Sequence, residues 1–293
     1  MRSSLMTIMN ITACRMFEDE IVELIEKDGS RIENIYVVNN DESIGIAEKI
    51  NGLGFQFTYV DDNVLREGYW KSSDDNFSLM INILSLSLHG KPRELKQHVY
   101  SQVKKMAQFS DGILMFYGLC GNVLKQIETD WEKLQCPVSI LKDSNNKIVD
   151  DCIGAVVGGR KSFLKMISSF ERKNSLLMTP MWIENWQSMF KYCGFIEKED
   201  DIDSAKFVID SMGYDTVVMI KNDASHVDSY ESKIQEFAEL FDLQVLEVEG
   251  NRKLIYSSYM KFKQDIINSN SKSYIISPNL PYQNKKQVQV PRA

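Results

Sequence analysis

The chain has 293 residues, 43% hydrophobic and 26% charged, with a formal charge of −7. That length can bury one large or two medium cores. The acidic balance argues against nucleic acid or an anionic membrane as the main partner. No apolar run reaches the roughly 18–20 residues of a membrane span. The first residues combine one Arg with an apolar patch broken by Ser, Thr and Asn, unlike a secretory signal. A cytoplasmic, reducing location is expected. The five cysteines, an odd number with no CxxC pair, then read as thiols or metal ligands rather than disulfides.

In chain order, 5–12 reads as a strand and 15–27 as a helix. Residues 34–38 and 55–60 read as short strands around a glycine-marked helix, and 79–86 as a buried strand. Pro92 sits in the first turn of a helix over 92–108. A strand at 113–117, a helix over about 122–134 and a strand at 138–141 follow, then helical 152–170. The last third repeats the scheme, with strand-like 176–179, helical 181–193, strand 216–220, helix 230–241 and strand 244–248. Such alternation predicts an α/β fold of mostly parallel sheets with crossover helices, built from Rossmann-like units. The expected division is an N-terminal region over 1–172 carrying the cysteine motifs, a C-terminal α/β region over 173–268, and a flexible tail over 269–293.

Parallel sheets bind ligands beyond the carboxyl ends of their strands. Cys14 follows the first strand, Cys120 follows the strand at 113–117, and Cys152 opens a helical run after 138–141 and a polar loop. All three are therefore expected at one edge, where a helix N-terminus favours thiolate. Two other readings stand beside a shared site. Each thiol is a small packing residue, or Cys120 alone is a nucleophile. Cys136 and Cys193 read as core or helix-end residues.

His89 ends a strand and precedes a helix, where it suits a zinc ligand or a general base. His98 and His226 read as surface residues. Gly154-Ala-Val-Val-Gly-Gly159-Arg160-Lys161-Ser162 suggests a phosphate loop, but the spacing is one residue too long and Arg160 holds the lysine slot. Trp182, Trp186 and Tyr117 are candidates for the wall of a pocket or of a cage for a methylated ammonium group. No GxGxxG, HExxH or GxSxG motif is present.

These residues resemble the family called domain of unknown function 1638. The likeness rests on Ala13-Cys14 with Glu20, Leu88-His89 with Pro92, Tyr117-Gly-Leu-Cys-Gly-Asn122 and Asp151-Cys152-Ile153. It continues through Gly158 with Phe163, Thr179-Pro-Met-Trp-Ile-Glu184, Tyr214-Asp215 and Leu246-Glu-Val-Glu-Gly250, over about 5–265. The family has His before Asp-Cys where this chain has Asp150, and Gly where it has Met181. The resemblance implies anaerobic one-carbon metabolism beside corrinoid-dependent methyltransferases.

Together these readings predict a metal-binding protein, a methyltransferase-like enzyme or an accessory protein. Cys14, Cys120, Cys152 and His89 are the expected ligands of Zn²⁺. Glu20, His89 and Asp151 are expected to move protons or orient ligands. Tyr117, Gly121, Asn122, Trp182 and Glu184 are expected to line the pocket. A small methylated substrate and a corrinoid protein or methyltransferase component are the expected partners, with no nucleic acid and no membrane. The competing enzyme reading is a [4Fe–4S] lyase or synthase with one cysteine from each of three loops. The competing non-enzyme reading is a binding or chaperone module for a corrinoid protein.

Overall fold

A computed structural model describes residues 7–67, 77–170, 174–221 and 229–276. Six strands form the first sheet: β1 Thr7–Cys14, β2 Asn34–Val38, β3 Thr58–Val60, β4 Phe77–Leu84, β5 Gly112–Phe116 and β6 Val138–Ile140. Their order is β3-β2-β4-β1-β5-β6, and every pairing is parallel. The expected α/β, Rossmann-like fold is what forms. Strands β1 and β4 are buried along their full length, as nearly continuous apolar runs require when helices cover both faces of a sheet.

A second sheet, also parallel, joins β7 Ser175–Met178, β8 Thr216–Lys221 and β9 Gln244–Glu249 in the order β7-β8-β9. Its strands β7 and β8 are tied by Tyr230. That hydroxyl donates to the Met178 carbonyl at 2.6 Å and accepts from the Ile220 N–H at 3.1 Å. A separate core gathers Trp186, Phe190, Phe237 and Phe241 over this sheet.

After β9 the chain returns to the first sheet as the long helix Lys253–Ile276. Ile266 and Phe262 cover Gly112, where a Cβ would stand 2.5 Å from the Ile266 Cγ2. The Tyr259 hydroxyl donates to the buried Asp28 carboxylate at 2.7 Å, and Lys263 pairs with the same group. The helix runs on into the stretch expected as a tail. Residues 269–276 continue the helix, because its preceding turns are anchored through Ile255, Tyr259 and Ile266. Residues 277–293, like His226, lie outside the described residues.

Two helix expectations also change. Residues 120–136 are mostly turns, with helix over Ile127–Asp130 alone, because three left-handed residues open the segment. Residues 152–170 form two helices, Cys152–Val156 and Arg160–Ser168, separated by Gly158 and Gly159 at φ 90° and 93°.

Candidate functional site

The three central strands end level. Cys14 pairs in register with Leu84, and Ala13 pairs with Phe116. The residues just past those ends therefore emerge side by side. Cys14 closes β1, while β4 passes through the turn Leu86–Leu88 to His89 and the helix Pro92–Met106. Strand β5 leads into Tyr117 and the Cys120 loop. Strand β6 leads through a small antiparallel bridge, Lys142 with Ile148, to Asp150, Asp151 and Cys152. Around these exits lies a cavity of about 220 Å³, whose wall includes Cys14, His89, Tyr117, Cys120, Asp151 and Cys152.

Local backbone chemistry holds the two cysteine loops together. The Leu119 N–H donates to the Val149 carbonyl at 2.8 Å, and the Cys120 N–H to the Asp150 carbonyl at 3.3 Å. At Gly118 a Cβ would lie 2.7 Å from the Asp151 nitrogen and the Val149 oxygen, so the approach requires glycine. Cys120, Gly121 and Asn122 follow with φ of 44°, 71° and 68°. For Cys120 this left-handed backbone is strained, typically by about 1–3 kcal/mol, a pattern concentrated at functional sites. Asp151 Oδ1 accepts from the Gly154 N–H at 2.7 Å, capping the short helix that Cys152 begins.

Burial governs the protonation of the thiols and of the imidazole at this site. Burial pushes the Cys14 thiol up to about 12, with the Cys120 charge adding to the rise and a backbone bond from Met16 opposing it. Burial likewise raises Cys120 to about 11 and Cys152 well above the usual thiol range. It depresses His89, against the opposing pull of Asp151. Near neutral pH the site thus presents three protonated thiols and a neutral imidazole. The Tyr117 hydroxyl is buried and has no hydrogen-bond partner among the described residues. Burial and the neighbouring Cys14 and Cys120 charges raise it far above the usual phenol range.

A helix of the second sheet packs against His89. Thr179 Oγ1 accepts from the Trp182 N–H at 3.3 Å and starts the helix Pro180–Glu184. That helix sets Trp182 edge-on to His89, with ring centroids 6.5 Å apart. The indole N–H lowers the Cys152 thiol's pKa, although it makes no full hydrogen bond. Met181 is buried, and its sulfur accepts from Lys49 at 2.9 Å.

Four expected site residues lie outside the cavity wall: Trp182, which touches His89 from behind it, and Glu20, Glu184 and Asn122. Glu20 is buried against Arg252 at 3.2 Å, because the helix that follows β1 turns it away from the strand exits. Glu184 pairs with Lys233 at 3.3 Å across the second sheet's helices. Asn122 shapes the loop through its backbone and stands outside the cavity wall. Phe17, Pro92, Leu95 and Asp150 line the wall without having been singled out for it. The three apolar residues carry no chemical signal in a sequence. Asp150 stood out only as a departure from a family pattern. A larger cavity of about 830 Å³, flanked by Gly158, Ser162 and the helix Lys253–Ile276, holds none of the expected site residues.

As a donor set, three thiols and an imidazole suit Zn²⁺ or an iron–sulfur cluster. Among the described residues, no three His, Cys, Asp or Glu side chains are already placed to hold a metal ion. The thiols ring the cavity as protonated groups, and one χ1 rotation swings a sulfur by about 3 Å. The chemistry of the set fits a metal, and closure on it requires both rotation and loss of protons.

A family model described as protein of unknown function DUF1638 matches residues 83–259, and the chain belongs to that family. The matched stretch contains His89, Cys120 and Cys152, while Cys14 and Glu20 precede it. No curated protein matches. Among solved structures, the chain is similar to a UDP-GlcNAc 2-epimerase from Neisseria meningitidis bound to UDP-GlcNAc. The identity is 10% over 87% of this chain and 75% of that one, with a TM-score of 0.29. It is also similar to an N-acetyl-L-ornithine transcarbamylase, at 10% identity over 80% and 66% of the two chains, with a TM-score of 0.20. Among the described residues, no helix is long and apolar enough to cross a membrane.

Proposed function

We propose that this member of the DUF1638 family is a cytoplasmic metal protein. Cys14, Cys120 and Cys152 would hold Zn²⁺ as thiolates, with His89 as fourth ligand, in the service of methyl transfer. The observation that carries this reading is the convergence of four donor side chains, from four separate strand exits, on one 220 Å³ cavity. When bound, Zn²⁺ would keep a coordinated thiol ionised near neutral pH and hence nucleophilic.

The chain's own residues supply the rest. A neutral His89 keeps a lone pair ready to ligate. Asp151 fixes Cys152 by capping its helix, which is the orienting role of a group behind the ligands. The Tyr117 hydroxyl supplies a donor beside Cys14 and Cys120, and the Phe17 and Leu95 side chains limit water. A corrinoid presented by a partner protein is the methyl carrier that the family resemblance suggests.

Elemental analysis of anaerobically purified protein tests the proposal. Zinc near one equivalent, lost in Cys120→Ser, is the expected result. Iron with acid-labile sulfide would favour the [4Fe–4S] reading instead. No retained metal, before or after anaerobic reconstitution, would reject a metal centre.

A further inference from the structure

The wall of the 220 Å³ cavity carries information about what enters it. Phe17 and Tyr117, each only 1% exposed, line it with aromatic side chains, and Pro92 and Leu95 line it with aliphatic ones. Asp150 and Asp151 belong to the same wall, and both are exposed. Among the described residues lining the cavity there is no Lys or Arg. The Tyr117 oxygen, in a side chain only 1% exposed, has no hydrogen-bond partner among the described residues.

These features discriminate between ligand classes. A carboxylate or phosphate would meet two like charges and no cation, an arrangement that costs binding energy. A neutral alcohol would gain nothing from the charge of the two acidic groups. A small cation gains Coulomb attraction from the aspartates and quadrupole attraction from the rings. Its methyl groups find Leu95 and Pro92. The volume lies below the 300–1,000 Å³ of a site for a drug-sized ligand, so the guest has only a few heavy atoms.

We propose that the cavity binds a small methylated ammonium compound that keeps one N–H. Asp150 and Asp151 attract its charge, Phe17 and Tyr117 cover its methyl groups, and the Tyr117 oxygen accepts its N–H. This names the substrate class of the methyl-transfer site proposed above and rests on that reading. Three thiolates around one dication would leave a net negative charge and add to the attraction. Binding to the aspartates and rings does not itself require the metal.

The test is a calorimetric and NMR titration of the full chain with four probes: trimethylammonium, tetramethylammonium, tert-butanol and acetate. Trimethylammonium should bind saturably and more tightly than tetramethylammonium, while tert-butanol and acetate do not bind. Asp150→Asn, at an exposed position that should fold normally, is expected to weaken trimethylammonium by roughly threefold to tenfold. Tyr117→Phe should erase the preference for the N–H-bearing probe. Equal binding of tert-butanol would overturn the proposal, as would the absence of saturable ammonium binding by folded protein. Metal content measured on the same samples separates the two ideas. Full zinc without ammonium binding overturns the substrate class alone, and ammonium binding by protein that retains no metal before or after anaerobic reconstitution overturns the metal centre alone.

Discussion

His89 and Trp182 meet edge to face, with ring centroids 6.5 Å apart and planes at 86°. One belongs to a loop of the first sheet, the other to a helix feeding off the second. The loop is fixed further at Gly90, where a Cβ would collide with the Tyr192 carbonyl at 1.8 Å. The second sheet's helices thus cover the imidazole and help set its charge state, since burial depresses the His89 pKa.

Removing that cover should reverse the shift. In Trp182→Ala the His89 pKa is expected to rise toward its ordinary value, because water returns to the imidazolium. Trp182→Phe should keep His89 depressed, yet raise the Cys152 thiol further by deleting the indole N–H. An NMR titration of the imidazole and a thiol-alkylation rate profile read the two effects separately. An unchanged His89 in the alanine variant would refute the covering role.

Metal uptake should be strongly dependent on pH. With Cys14 near 12 and Cys120 near 11, and Cys152 also raised, the free thiols hold their protons at neutral pH. Binding Zn²⁺ as thiolates must then release about three protons per metal, so affinity climbs as pH rises. Proton release measured by pH-stat during zinc addition checks this number. A release near zero would mean that the cysteines are not the ligands.

Two glycines should respond oppositely to alanine. Gly118→Ala drives a Cβ into the Val149 and Asp151 backbone at 2.7 Å, and backbone cannot swing aside as a side chain does. A loss of about 1–3 kcal/mol is expected, together with loss of zinc. Gly52, which ends a helix and has nothing within 4 Å of an added Cβ, should gain up to about 1 kcal/mol as Ala. Urea midpoints at constant slope make the comparison.

The Glu20–Arg252 pair predicts a pH signature in folding. Burial raises Glu20 to about 7, with Arg252 opposing the rise. A carboxyl with a higher pKa in the native state binds its proton more tightly when folded. Its contribution is full below the unfolded value of about 4.3 and is lost as pH rises through about 7. Glu20→Gln should therefore flatten the fall in unfolding free energy between about pH 5 and pH 8. Arg252→Met, which removes the opposing cation, should deepen that fall. Denaturant titrations across this range decide it.

The sequence alone determined the α/β class and most strands of both sheets, because strands buried on both faces must be apolar and crossover connections must alternate with them. It also brought Cys14, Cys120, Cys152 and His89 to one edge, since residues that follow parallel strands leave the sheet on the same side. Tertiary structure alone decided the rest. Glu20 and Glu184 occupy motifs beside the cysteines, yet they turn toward Arg252 and Lys233, partners 232 and 49 residues away in the chain. The helix Lys253–Ile276 is held by buried contacts such as Tyr259 with Asp28, 231 residues apart, which no local pattern announces. The aromatic and acidic wall of the cavity is likewise a product of packing. Strand exits follow from local periodicity, but the direction of a side chain depends on which distant charge or ring the fold places beside it.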